Sequence, residues 1–122
     1  MNPDWLNLVS AARLRHDLFY LCRDPLPFRT VSYSRPWHEK NSLDEADAFI
    51  AESMRAFPVQ VEVIANRIQA FRCNSAKPQH HWYDAPHESD RWYEGHNIEV
   101  TLPGSTCPEE IIQLISHKDS MS

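Results

Sequence analysis

The chain has 122 residues, 42% of them hydrophobic, and its 12 Lys and Arg stand against 17 Asp and Glu for a net charge of −5. That length suits one domain at most with a globular core, and the acid excess excludes a basic nucleic-acid-binding surface. No apolar run approaches the ~20 residues of a membrane-spanning helix, and no positive leader followed by an apolar block opens the chain, so the expectation is no membrane, no signal peptide and a cytoplasmic setting. Only Gly95 and Gly104 occur, so neither G-x-G-x-x-G nor a Walker loop can be written, and G-x-S-x-G is absent too.

In chain order, the spacing first predicts a helix. Asn2 can cap it, Pro3 suits its first position, and Asp4 favours its positive end. Trp5, Leu8, Val9, Ala12, His16 and Phe19 fall on one face at a 3.6-residue period, and Pro25 and Pro27 stop the helix near 22–24. A proline-punctuated connection follows over 25–41. Ser42-Leu43-Asp44-Glu45 reads as a capping box with Ser42 as cap. Leu43, Ala46, Ile50, Met54 and Phe57 form an apolar stripe with Phe49 beside it, ended by Pro58. The carboxylates Asp44, Glu45, Asp47 and Glu52 read as cap and solvent-face residues.

Val59, Val61 and Val63 alternate with Gln60 and Glu62, which predicts a strand that extends towards Ile68 and Phe71. Residues 74–96 show neither period and read as a long loop insertion. Asn97–Leu102 alternates again. The apolar run Ile111-Ile112-Gln113-Leu114-Ile115 suits a strand buried on both faces, and is expected to be the most buried element. Such a strand needs neighbours and helices that two helices and three strands do not supply. Pattern therefore predicts an incomplete α/β domain, with a small complete α+β domain carrying a three-stranded sheet as the alternative. The expected division is an N-terminal helical segment, 1–27, and an α/β part, 28–122.

Three places carry candidate chemistry. Ser116-His117-Lys118-Asp119-Ser120 follows the apolar run, and ligands gather at the carboxyl ends of strands in open α/β sheets. In an extended segment His117 and Asp119 project to one side, where a carboxylate can orient a metal-binding imidazole. The loop offers His80, His81, His87 and His96 with Trp82, Tyr83, Trp92 and Tyr93. Its histidines lack zinc-ligand spacing, so no metal site is expected there, and its aromatics suit a partner surface or simple packing. Cys22, Cys73 and Cys107 form no C-x-x-C pair and sit in no catalytic context, so reduced structural thiols, buried or half-buried, are expected.

The segment Asn97-Ile98-Glu99-Val100-Thr101-Leu102-Pro103-Gly104, followed by the run 110–115 and His117-Lys118-Asp119-Ser120, resembles metallopeptidase family twenty-eight, the dinuclear zinc aminopeptidases related to glutamate carboxypeptidases and glutaminyl cyclases. Ser34-Arg35-Pro36, the helix through Ala46, Phe49-Ile50 and Met54, and the strand Val59-Gln60-Val61-Glu62 are also similar, with Pro58 where the family commonly has glycine. The resemblance covers about residues 28–122. It implies a three-layer αβα zinc-peptidase domain, present here as its N-terminal part. His117 then matches the first zinc ligand, and Asp119 the catalytic carboxylate that sits behind that ligand and supports it. The remaining zinc ligands, the bridging Asp and the general-base Glu lie downstream of this motif in the family. The implied activity is zinc-dependent exopeptidase cleavage of a peptide substrate by the complete domain with two zinc ions, with weak or no zinc binding and no turnover for this chain alone. The competing expectation is a non-catalytic α+β interaction module that uses the aromatic and histidine loop 74–96.

Overall fold

The computed structural model describes residues 7–120, and their fold is a small mixed α/β arrangement of two helices and antiparallel strands. Helix α1 spans Ala11–Cys22, and the Ser10 hydroxyl caps it by accepting from the Arg13 amide at 3.2 Å. The expected start at Asn2, Pro3, Asp4 and Trp5 lies outside the described residues. Residues 9 and 10 are not helical, so the helix opens at Ser10. No residue of α1 is buried. Its contact is aromatic: Tyr20 stacks on Phe49 with ring centres 4.1 Å apart, and His16 lies beside the same ring.

Helix α2, Ser42–Arg55, corrects the expected cap. Asn41 is the cap, its side chain accepting from the Asp44 amide at 2.9 Å. Ser42 is fully buried, and its hydroxyl accepts from the Thr30 amide and donates to the Thr30 carbonyl. Glu45 does not reach back to the cap, because Arg35 takes its two oxygens at 2.7 and 2.9 Å and His38 pairs with it too. A bidentate guanidinium satisfies a half-buried carboxylate better than a single amide does. It also holds the Glu45 carboxyl below its usual range. The buried face is Ser42, Leu43, Ala46, Asp47 and Ala51, while Met54 and Phe57 from the expected stripe are exposed.

Strands β1, Gln60–Gln69, and β4, Trp92–Thr101, form an antiparallel hairpin in a register running from Gln60↔Thr101 to Gln69↔Trp92. Helix α2 packs on both strands. Gly95 is buried beneath Ile68, and a Cβ there would come within 2.6 Å of the Ile68 Cδ1, so this crossing needs glycine or a shifted isoleucine.

The expected loop 74–96 is shorter and more ordered than its pattern implied. β4 begins at Trp92, so Trp92–His96 belong to the hairpin. The insert between β1 and β4 carries its own two-stranded pairing of β2, Arg72–Cys73, with β3, Tyr83–Asp84, and a 3-10 turn at Gln79–His81. Polar pairs hold it: Arg72 grips Asp90 through two nitrogens, Lys77 pairs with Asp84, and the Trp82 indole donates to the Lys77 carbonyl at 2.7 Å. Periodicity cannot reveal an element held by ion pairs.

The largest correction concerns 110–116. No strand forms there, and Ile111, Ile112, Leu114 and Ile115 are 85–93% exposed, the opposite of the most buried element. A strand buried on both faces requires paired neighbours for its backbone and cover for its side chains, and none of the described strands pairs with 110–116. Only the end of this segment docks. The Ser120 amide donates to the Arg29 carbonyl, the Arg29 amide donates to the Ser120 hydroxyl, and the Arg29 side chain donates to the Lys118 carbonyl. The chain's accessible surface is 10,373 Å², about half as much again as the roughly 6,800 Å² of a compact protein of this mass. Much of its apolar surface therefore has no intramolecular cover. The three cysteines are also corrected: Cys22, Cys73 and Cys107 are all exposed and free. No described helix is long and apolar enough to cross a membrane.

Candidate functional site

Alternation decides where the 117–119 side chains point. His117 and Asp119 face one way, towards solvent, at 94% and 61% side-chain exposure. Their approach is 3.3 Å, from Nδ1 to Oδ1. Lys118 faces the other way and pairs with Asp47 on α2. The segment thus borders a cavity of about 510 Å³ whose walls include Leu43, Arg67, Gly95, His96, His117 and Asp119.

A second polar cluster lies behind it. Asp44 and Asp47 are three residues apart on α2, a spacing that sets both on one face. His96 enters from β4. Its Nδ1 is 3.2 Å from Oδ2 of Asp47 and 3.5 Å from Oδ1 of Asp44, and its Nε2 is 3.4 Å from Oε1 of Glu94. Asp47 is buried, with Lys118 on its other oxygen. Asn41 donates to Oδ2 of Asp44 at 2.7 Å. Oδ1 of Asp44 is buried, and no donor completes a hydrogen bond to it. Burial pushes the Asp44 carboxyl up, aided by the Asp47 charge and opposed by His96.

Asp44, Asp47 and His96 are the one group of three among the described residues whose potential ligand atoms converge, all within 4.8 Å. Among the described residues, His117 and Asp119 belong to no group of three potential ligands. His80, His81 and His87 sit exposed on the insert and belong to no such group among the described residues.

Sequence reasoning missed this cluster. It read Asp44 and Asp47 as cap and solvent-face residues and His96 as a loop residue. Asp47 is instead buried, and His96 is a strand residue. One signal was present: Asp47 follows Leu43 by four residues and precedes Ala51 by four, inside the apolar stripe. A carboxylate at that position must find cations. Spacing along the chain did not point to His96 because its carboxylate neighbours come from a different element. Comparison with family models, with curated proteins and with solved structures finds no match for the chain.

Proposed function

We propose that this chain is the N-terminal part of a three-layer α/β zinc-dependent exopeptidase domain, with His117 as a metal ligand and Asp119 as its supporting carboxylate. The ordered motif set from Ser34 to Ser120 supports the reading. The observation that carries it is the 3.3 Å approach of Asp119 to Nδ1 of His117. A carboxylate there keeps the proton on Nδ1 and turns the Nε2 lone pair outward, the arrangement that makes an imidazole a good metal ligand. The Lys118–Asp47 pair and the Arg29 contacts hold the segment in place from behind.

The zinc ions of a complete family domain supply Lewis acidity for peptide-bond hydrolysis. His117 and Asp119 provide one ligand and its support. A catalytic zinc usually needs three protein ligands, so this site fits part of a zinc centre and not the whole. The isolated chain should therefore have no turnover. Three unpaired thiols favour a reducing, cytoplasmic setting.

The test is aminoacyl-anilide hydrolysis by the 122-residue chain and by any longer product of the same gene. The reading expects none from the former. In the latter, His117→Ala should remove most turnover, and Asp119→Asn should lower it by ~10–100-fold. Turnover by the isolated chain, or turnover indifferent to His117→Ala, would overturn it. A longer product with no peptidase activity would favour the interaction-module reading, whose surface is the self-held insert.

A further inference from the structure

The Asp44, Asp47 and His96 cluster supplies no metal ligand in the peptidase reading, where Asp47 only anchors Lys118. We infer that these three side chains bind a divalent transition-metal ion, zinc by preference, between α2 and β4.

Tetrahedral ligands held ~2.0–2.1 Å from a zinc ion stand about 3.3 Å from one another. Nδ1 of His96 is 3.2 Å from Oδ2 of Asp47 and 3.5 Å from Oδ1 of Asp44. Two edges of the coordination polyhedron are thus already set, and the third atom pair lies within 4.8 Å.

Oδ1 of Asp44 is shielded from water and accepts no hydrogen bond; Nδ1 of His96, 3.5 Å away, does not complete one. A buried carboxylate oxygen without a hydrogen bond is costly, and a cation aimed at it removes that cost. Nε2 of His96 faces Glu94 at 3.4 Å, so a carboxylate backs the imidazole on the side away from the ion. Such a partner fixes the tautomer that leaves Nδ1 free to coordinate. Lys118 occupies the other oxygen of Asp47, which leaves Oδ2 facing His96.

A cleft of about 380 Å³ adjoins the cluster, bordered by Lys40, Ala51, Arg55 and Val63, and gives room for water in a fourth position. Two carboxylate oxygens and one imidazole nitrogen suit Zn²⁺, with Mn²⁺ and Co²⁺ weaker, and do not suit soft Cu(I). Only an unprotonated Nδ1 coordinates a metal ion, and protons compete with metal for such ligands, so affinity falls as pH falls.

The experiment is calorimetric titration of the 122-residue chain with zinc sulfate, with cobalt absorption spectra to report coordination. One ion should bind with a Kd on the order of micromolar. His96→Gln and Asp44→Asn should each weaken binding by more than about a hundredfold while circular dichroism stays unchanged. His117→Ala should leave it intact, which separates this site from the proposed peptidase ligand. Asp44→Asn keeps the side chain's shape, so its loss of binding cannot be assigned to unfolding. Binding no tighter than millimolar, or binding that survives His96→Gln and disappears in His117→Ala, would overturn the inference. Either result would leave the cluster as an ion-pair network around Lys118.

Discussion

Helix α2 and the segment 110–116 are both rich in apolar residues, and their fates differ. In α2, Leu43, Ala46 and Ala51 are buried against the β1–β4 hairpin, whereas Ile111, Ile112, Leu114 and Ile115 stand in solvent. The helix satisfies its own backbone and needs only one face covered. An apolar strand must find hydrogen-bonding neighbours before its side chains can be covered. Apolar content therefore states a demand for burial, and secondary structure decides whether a short chain can meet it.

The sharpest way to break this comparison is to truncate one side chain in each region. Leu43→Ala should destabilise the chain by about 2–5 kcal/mol, as buried leucines do. Ile112→Ala should change stability by less than about 0.5 kcal/mol, as exposed positions do. Chemical denaturation followed by circular dichroism reads both, and equal losses would mean that 110–116 is packed in solution. The link between the two regions is next in size. Asp47→Asn leaves the largely buried Lys118 without its partner and should cost about 2–3 kcal/mol, less than a wholly buried pair because Lys118 is partly solvated. It should also free the 117–120 segment, seen as lost protection of the Ser120 amide in hydrogen exchange.

A smaller, local effect tests the insert, which is held by charge where α2 is held by burial. Arg72, and then the His87 amide, hold the Asp90 carboxyl down to about 2, against an ordinary value of 3.8. A carboxyl depressed on folding contributes stability above its unfolded value and loses it as pH falls through the folded one. The insert should therefore stay ordered at pH 4 and loosen as pH falls through about 2. The His87 amide resonance reports this directly, since that amide donates to Asp90 at 2.8 Å. A midpoint near 4 would mean that the Arg72–Asp90 grip is absent. Salt should weaken the insert, whose ion pairs are exposed, more than α2, whose ion pairs are half-buried. The smallest effect is at Trp37, fully exposed and left-handed with φ 68°. Trp37→Gly removes the backbone strain and adds unfolded-state entropy, and should change the denaturation midpoint by less than about 0.5 kcal/mol equivalent.

Two histidines repeat the regional contrast. His117 was legible as a candidate because its partner Asp119 is two residues away, and the 3.3 Å approach of the pair needs only local geometry. His96 was not legible. Its carboxylate neighbours on α2, Asp44 and Asp47, are separated from it by 52 and 49 residues of sequence, and the register Ala65↔His96 is what brings it under the helix. The cysteines failed for a related reason: a thiol's exposure depends on which surfaces meet, and no spacing rule reports that.

The sequence by itself determined the local elements whose physics is local. The α2 stripe, the alternation of β1 and the later part of β4, and the proline stops all carry their signals within a few residues. It left the cap of α2 off by one, because Asn41 and Ser42 are both good caps and only the burial of Ser42 against Thr30 separates them. Tertiary structure alone decided the rest: where β4 begins, how charges fold the insert on itself, which carboxylate of α2 is buried, and that the most apolar run has no cover. Each depends on pairings between residues far apart in the chain, whose energies come from contact and desolvation and are not properties of any segment read in isolation.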